Sequence, residues 1–598
     1  MNDTAINMLN EKQQKAVLHA HGPSIILAGA GSGKTRVLVQ KVLQLIEKES
    51  VPPSSIVMIT FTNKAAKEMK ERIQRAVGAD ISLGYVGTFH SFCCRLLRIE
   101  GHHIDIDHNF TIYDDNDQFD LIKAILKKMD TKKFTPSYFV HRISQAKNQI
   151  ISPERYIEVF ADYGAALTAE VYFQYQKELQ KNHALDFDDL IIRLIYLLQS
   201  HPEVLEKYQE KYRYLLVDEF QDTNSAQYEL TRILGSKYHN VTVVGDFSQS
   251  IYSWRGADIQ NLKKFEENFP QTLTFHLEQN YRSTQAILSF AYDVISKNQT
   301  HPVLELFTEN GEGEEIEIKE CVNEEEEARF VAREIEDLES ESESTYSDFA
   351  VLYRTNAQSR IIEELFLRYG IPYTLIGGTR FYERKEIKDV LSYLRLMLNP
   401  QDSMAMERIK KLGKGRFEKY RALHQRISGE IEAHETNEIM ELIFSETGYL
   451  ETYDAHDEED YGRLENIKEL KSVAVQFPKL GEFLEQVALV ESEYFEGEKN
   501  GNSERVRLMT LHQAKGLEFS YVFITGVEEG ILPHSRSTED LFQLEEERRL
   551  LYVGITRARR KLYLSYAKRR FIFGRPMYGK KSRFISDEDE NNDPTNYW

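Results

Sequence analysis

Apolar residues in this chain fall into short unbroken runs separated by stretches with helical spacing. "SIILA" (24–28) is followed by the glycine-rich "GAGSGK" and then by "TRVLVQKVLQLIEK" (35–48), which predicts a strand, a loop and a helix. "SSIVMITFTNKAAKEMKERI" (54–73) repeats the strand–helix pattern. Strands that alternate with helices predict a parallel sheet covered on both faces. From 105 to 187 the spacing turns helical, as in "DQFDLIKAILKKM" and "EVYFQYQKELQ"; strands return at "YRYLLVDEF" (212–220) and "HNVTVVGD" (239–246). The helical block therefore reads as an insertion into an α/β core.

A second α/β pattern opens near 273 with "LTFHLEQNYRS" and continues through "DFAVLYRTNAQSRIIEELFLRYGIPY" (348–373). The chain is helical and acidic from 379 to 504, then resumes with "RVRLMTLHQAKGLEFSYVFITGV" (505–527) and closes with "RKLYLSYAKR" (560–569). The expected organisation is a first core in two parts, 1–104 and 188–275, interrupted by a helical insertion at 105–187. A second core, 276–378 and 505–585, is interrupted at 379–504, and an acidic tail, 586–598, is expected to be disordered.

Composition narrows the class. The chain has 598 residues, too many for one core. No apolar run is long enough to span a bilayer, and the amino terminus shows no basic region followed by an apolar one, so a cytoplasmic location is expected. Three cysteines, two of them adjacent (Cys93 and Cys94), make neither a disulfide framework nor a metal site. The net charge of −21 argues against a nucleic-acid partner until its distribution is considered. Acid gathers in runs such as "ENGEGEEIEIKE", "NEEEE" (323–327), "DLESESES" and "DAHDEEDYG", each read as a solvated face or loop, whereas residues 557–584 contain no acidic residue. A local basic track is therefore compatible with the overall charge.

Candidate chemistry begins at "AGAGSGKT" (28–35). Between an apolar strand and a helix, glycines allow backbone N–H groups to face a β-phosphate, Lys34 reaches β/γ oxygens, and Thr35 can ligate Mg²⁺. Ala28 stands where the general pattern has its first glycine, and Ala28, Gly29, Ala30, Gly31, Ser32, Gly33, Lys34, Thr35 and Arg36 form the expected phosphate site. "YLLVDEF" ends a strand in Asp218, a Mg²⁺ ligand, and Glu219, a base for water, which favours ATP hydrolysis over transfer to a substrate. Arg282 in "QNYRS" and Arg557 in "GITRAR" are candidates for neutralising the γ-phosphate; if both reach one nucleotide, ATP lies between the two cores. Trp254, one of only two tryptophans, sits in a polar turn with Gln249, Tyr252 and Arg255 close by.

With "VDEFQDTN", "VGDFSQSIYSWRGA", "LEQNYRS", "VRLMTLHQAKGLEF" and "EEERRLLYVGITRAR" in order behind the phosphate loop, and "LNEKQQKAV" and "ITFTNKAAKEM" near the start, the chain resembles the UvrD/PcrA/Rep group of superfamily 1 DNA helicases. The resemblance implies two RecA-like P-loop cores, each with a helical insertion, using ATP and Mg²⁺. It implies that Gln13 reads adenine, Tyr281 stacks on the base, Gly516 and Glu518 serve the nucleotide, with Glu518 on the ribose, and Gln249 senses the γ-phosphate. Single-strand contacts would be Phe61, Thr62, Asn63, His90, Phe187, Tyr252, Trp254, Arg255, Arg354, Asn356 and His512, with Phe573 as an addition.

The implied activity is 3′→5′ helicase movement on single-stranded DNA and at single-strand/duplex junctions. Repair or replication proteins would be partners, and the chain would act as a monomer or as a dimer formed on DNA. Phe247 and Ser248 replace residues that are more often acidic in this group, and by the resemblance the second insertion is expected to be short and the long partner-recruiting tail to be lacking. Two alternatives stand beside the helicase: a translocase that strips bound proteins with weak unwinding, and an ATP-gated single-strand binding module.

Overall fold

A computed structural model describes residues 8–78, 83–131, 133–341, 344–455, 457–499, 504–572 and 575–586. The chain divides into two compact units: one runs to Arg282 and takes in Asn298–Glu309, and the other comprises Ser283–Lys297 and the chain from Asn310 onward. The expected α/β class, with two parallel-sheet cores and helical insertions, is borne out.

In the first unit the strands are β1 (Ser24–Ala28), β2 (Ile56–Thr60), β3 (Tyr85–Thr88), β4 (Thr111–Tyr113), β5 (Ala184–Asp186), β6 (Tyr214–Val217), β7 (Val241–Gly245), β8 (Leu273–Leu277), β9 (Gln279–Asn280) and β10 (Phe307–Thr308). The six-stranded sheet has the order β3-β2-β6-β7-β1-β8, and every pairing is parallel. Its unbroken apolar runs follow from burial on both faces. Ile25 and Leu27 pack into one core with Val57, Ile59, Leu215 and Val217, while Ile26 and Ala28 pack into the opposite core with Ile56, Met58 and Leu216. The insertion has its own core, in which Ile122, Phe139, Ile143, Tyr156 and Tyr175 bring together the helices Asp115–Lys128, Pro136–Asn148 and Ala165–Lys181.

In the second unit β11 (Glu317–Asn323), β12 (Phe349–Tyr353), β13 (Tyr373–Leu375), β14 (Val506–Thr510), β15 (Phe519–Ile524) and β16 (Ala558–Ile572) form a parallel sheet in the order β11-β16-β15-β12-β14-β13. The last strand, β17 (Arg575–Tyr578), pairs antiparallel with β16. Helices from Lys385–Leu398 to Leu480–Lys499 interrupt this core. Among the described residues no helix is long and apolar enough to cross a membrane.

Three expectations need correction. The strand at 273–277 belongs to the first sheet, where Ser24 pairs with Leu273 and Ala28 with Leu277, so a boundary at 275 cuts through a strand. Strand–helix alternation carries no mark of which sheet a strand joins. The run 323–327 is not wholly solvated: Glu327 is buried and accepts hydrogen bonds from Arg570, Ser565 and the Gly526 N–H. The basic stretch 557–584 is partly neutralised within its own unit, with Lys561 on Glu314, Lys568 on Glu320, Arg570 on Glu327 and Glu528, and Arg583 on Glu529. Carboxylates distant in sequence supply the balancing charge. Phe573 and the tail from 587 lie outside the described residues.

Candidate nucleotide and nucleic-acid site

The phosphate loop leaves the C-terminal end of β1 and enters the helix Lys34–Glu47. Gly33 caps that helix in a left-handed conformation, φ +84°, and Gly31 has φ +66°. A Cβ on Gly31 would lie 2.7 Å from Asn280 Nδ2 and 2.8 Å from Arg282 Cβ, so glycine is required both by the backbone and by the approach of the 280–282 segment. The Gly29 N–H donates to Leu277 O at 3.2 Å, Asn280 Nδ2 donates to Ala30 O at 2.7 Å, and the Tyr281 N–H donates to Gly31 O at 3.0 Å. Asn280 Oδ1 accepts from the Arg282 N–H at 2.7 Å, which sets Arg282 beside the loop.

Gln13 is wholly buried. Its Nε2 donates to Ser32 O at 2.8 Å and its Oε1 accepts from the Asn10 N–H at 3.1 Å, so the amide expected to read adenine is bonded to loop and cap backbone. Asn10 Nδ2 donates to the Tyr281 hydroxyl at 2.9 Å, leaving the half-exposed ring at the edge of the loop. Arg36 donates to Met8 O. Thr35 occupies the first turn of the loop helix, beside Lys34.

β6 brings Asp218 and Glu219 to the same sheet edge. The Asp218 N–H donates to Ile59 O at 2.8 Å, and Glu219 has φ +49°, which turns its side chain toward Lys34, 3.5 Å away. Gln221 Nε2 donates to Glu219 Oε2 at 2.6 Å, and Gln221 Oε1 accepts from the Asp246 N–H, tying the ends of β6 and β7 together. Gln249 is buried and donates to Asp246 Oδ2 at 2.7 Å. Burial pushes the Asp218 carboxyl up to about 7, the Glu219 charge adds to this, and Lys34 opposes it. Asp246 is raised as well, again chiefly by burial. Asp218 Oδ1 and Ser32 Oγ are buried without a hydrogen-bond partner. Buried carboxylates with unsatisfied acceptor capacity fit a hard cation with oxygen ligands such as Mg²⁺. Sequence reasoning missed Asn10, Gln221 and Asn280 as positioning groups; "QN" before "YRS" and the Gln of "DEFQD" were the available signals.

From Gln249 the chain passes directly into the Tyr252–Trp254 turn. Phe61 and Tyr252 are stacked, with centroids 5.7 Å apart and an 11° interplanar angle. Trp254 stands edge-on to Tyr252 at 6.4 Å, and the Arg255 guanidinium lies 4.6 Å from the Trp254 ring. Trp254 is 42% exposed, which separates it from a core tryptophan. Thr62 caps the helix Asn63–Val77 through the Ala65 N–H, and Asn63 begins that helix exposed.

A second aromatic pair, His90 and Phe187, meets edge-on at 5.8 Å. Burial lowers the His90 pKa, and Phe187 is 42% exposed. Phe187 opens a helix capped by Asp186, whose carboxylate accepts from the Asp189 N–H and from Tyr175. Fully buried Lys147 holds Asp186 at 2.5 Å and Asp189 at 3.0 Å.

The remaining candidates lie in the second unit. Arg557 is buried, donating to Val553 O, Leu517 O and Thr556 Oγ1. Glu518 is exposed and 3.4 Å from Arg559, two residues beyond Gly516 at φ +84°. Arg354 makes a two-pronged contact with buried Glu547, so this predicted DNA contact is also an internal ion pair. Asn356 is exposed at the start of a 3₁₀ turn, and His512 is half-buried after β14.

A family model for the UvrD/REP helicase N-terminal domain matches residues 9–270, and one for the UvrD-like helicase C-terminal domain matches 275–427 and 409–569. The chain belongs to the UvrD/REP helicase family. Its two parallel-sheet units are accordingly RecA-like cores. ATP-dependent DNA helicase PcrA of Staphylococcus aureus (strain Mu50) is 43% identical over 638 residues, covering 98% of this chain and 87% of that protein. The Bacillus subtilis (strain 168) protein of the same name is 43% identical over 630 residues, covering 97% and 85%. As a UvrD/REP family member, the chain has the motif order that its sequence led us to expect.

Proposed function

We propose that this protein is an ATP-dependent DNA helicase that moves 3′→5′ on single-stranded DNA, separates duplex strands in repair or replication, and works in the cytoplasm. The observation that supports this reading best is the short path from Glu219, Asp246 and Gln249 to the exposed Tyr252–Trp254–Arg255 surface. A group that responds to the nucleotide and a surface that can stack on bases share one turn of chain.

In this reading Lys34 and the loop N–H groups hold the β/γ-phosphates. Thr35 and Asp218 would hold Mg²⁺, which when bound offsets phosphate charge. Glu219 accepts a proton from the attacking water, and Arg282 and Arg557 offset charge on the γ-phosphate oxygens. Gln249 responds to loss of the γ-phosphate, and its hydrogen bond to Asp246 carries that response to the Trp254 turn. Bases stacked on Phe61, Tyr252, Trp254 and Phe187 are held without regard to sequence, as a motor requires.

The test is ATP turnover with and without single-stranded DNA, alongside unwinding of duplexes with a 3′ or a 5′ tail. Strong stimulation with unwinding of the 3′-tailed duplex is expected. Stimulation without unwinding would replace the helicase with a translocase, and absence of stimulation would overturn the coupling altogether.

A further inference from the structure

The helices Phe89–Glu100 and Phe187–Ser200 pack side by side and run in the same direction. Their N-terminal ends carry His90 and Phe187, the pair in contact at 5.8 Å. At the opposite ends, roughly 20 Å away at 1.5 Å rise per residue, the chain places a second histidine pair. His103 lies in the turn Gly101–Ile104, and His201 follows the Phe187 helix directly; their rings are 5.2 Å apart. Glu203, in the first turn of the next helix, completes a group whose ligand atoms all lie within 4.8 Å of one another.

The supporting hydrogen bonds suit metal ligation. Ser200 Oγ lies 2.6 Å from Tyr196 O, to which it can donate, and 3.0 Å from His201 Nδ1, from which it can accept. A proton on His201 Nδ1 directed at Ser200 Oγ would leave Nε2 available to a metal. Buried Glu100 lies 3.6 Å from His103 Nε2 and is itself anchored by Lys207 at 2.6 Å and Tyr208 at 2.9 Å. Two imidazoles and one carboxylate are a donor set for zinc-class ions rather than for Mg²⁺ or Ca²⁺.

We propose that His103, His201 and Glu203 form a binding site for one divalent transition-metal ion of the zinc class, distinct from the nucleotide site. The ion would clamp the C-terminal ends of the two helices whose N-terminal ends carry His90 and Phe187. None of the three ligands belongs to the phosphate loop, and the proposed site needs no nucleotide.

The test uses the full chain without a histidine tag, stripped with chelator and titrated with Co²⁺ and then Zn²⁺. One equivalent of Co²⁺ is expected to bind with visible ligand-field absorption and to be displaced by one equivalent of Zn²⁺, with excess Mg²⁺ having no effect. His103→Ala and His201→Ala should each weaken uptake by at least about tenfold, while His21→Ala, at an exposed histidine elsewhere, should not. All three side chains are at least partly exposed, and unchanged unfolding midpoints in chelator would show that the variants are folded. Uptake that is absent from the parent chain, or equal in the parent and the double variant His103→Ala/His201→Ala, would overturn the proposal.

Discussion

Each unit buries a group of carboxylates, and the two groups are finished differently. In the second unit Glu327 and Glu528 close on Arg570, at 2.5 and 2.6 Å, and take further hydrogen bonds from Ser565 and the Gly526 and Ala567 N–H groups. Burial works against the Arg570 charge, but the two carboxylates outweigh it and keep the guanidinium protonated. In the first unit Asp218, Glu219 and Asp246 gather near Lys34, and Asp218 retains a buried oxygen with no partner. A saturated buried charge group holds a fold together, whereas an unsaturated one stores a cost that an arriving cation and phosphate can offset.

Four measurements would break or sharpen this contrast. The largest effect belongs to the unsaturated end: Glu219→Gln should lower DNA-stimulated ATP turnover by about 10²–10⁴-fold while nucleotide binding, followed by fluorescent-analogue titration, persists. Equal loss of binding and turnover would mean that Glu219 only holds Lys34. Next, Arg570→Met leaves two buried carboxylates without their cation and should cost about 3–5 kcal/mol in denaturant unfolding of the second unit's transition. A cost near zero would remove the saturated half of the comparison.

A smaller effect is expected at the exposed surface. Trp254→Ala should weaken single-strand binding by about 1–3 kcal/mol and slow translocation, with ATP affinity unchanged; translocation at the parent rate would remove the stacking role. The smallest shift, and opposite in sense to Arg570→Met, is expected for Asp218→Asn. Without nucleotide or Mg²⁺ at neutral pH it should not lower the unfolding midpoint, because it removes a charge that burial disfavours. It should nevertheless abolish turnover, and a fall in midpoint would show that Asp218 is structural.

Much of the site was legible in local order. "AGAGSGKT" between a strand and a helix could be assigned a phosphate role because loop chemistry depends on neighbours in sequence: Gly31 and Gly33 take positive φ, and Lys34 begins the helix. The exposed Trp254 turn was legible for the same reason, since Ser, Arg and Gly around an aromatic residue resist burial. The state of Gln13 was not, because its partner Ser32 O belongs to another segment. Nor were the ties from Asn280 to Ala30, 250 positions apart, or from Arg354 to Glu547, 193 apart.

What periodicity and short motifs settle is therefore the class of each segment: two α/β patterns with helical insertions, a glycine-rich loop between strand and helix, an acidic strand end and the order of motifs that marks the family. Tertiary structure alone decided that the strand 273–277 pairs with β1, that Glu327 leaves its acidic run to meet Arg570, and that His103 faces His201. The physical reason is range. Backbone conformation and amphipathic spacing act within a turn or two of chain, whereas strand pairing, buried charge compensation and ligand sets depend on which distant segments folding brings within a few ångströms.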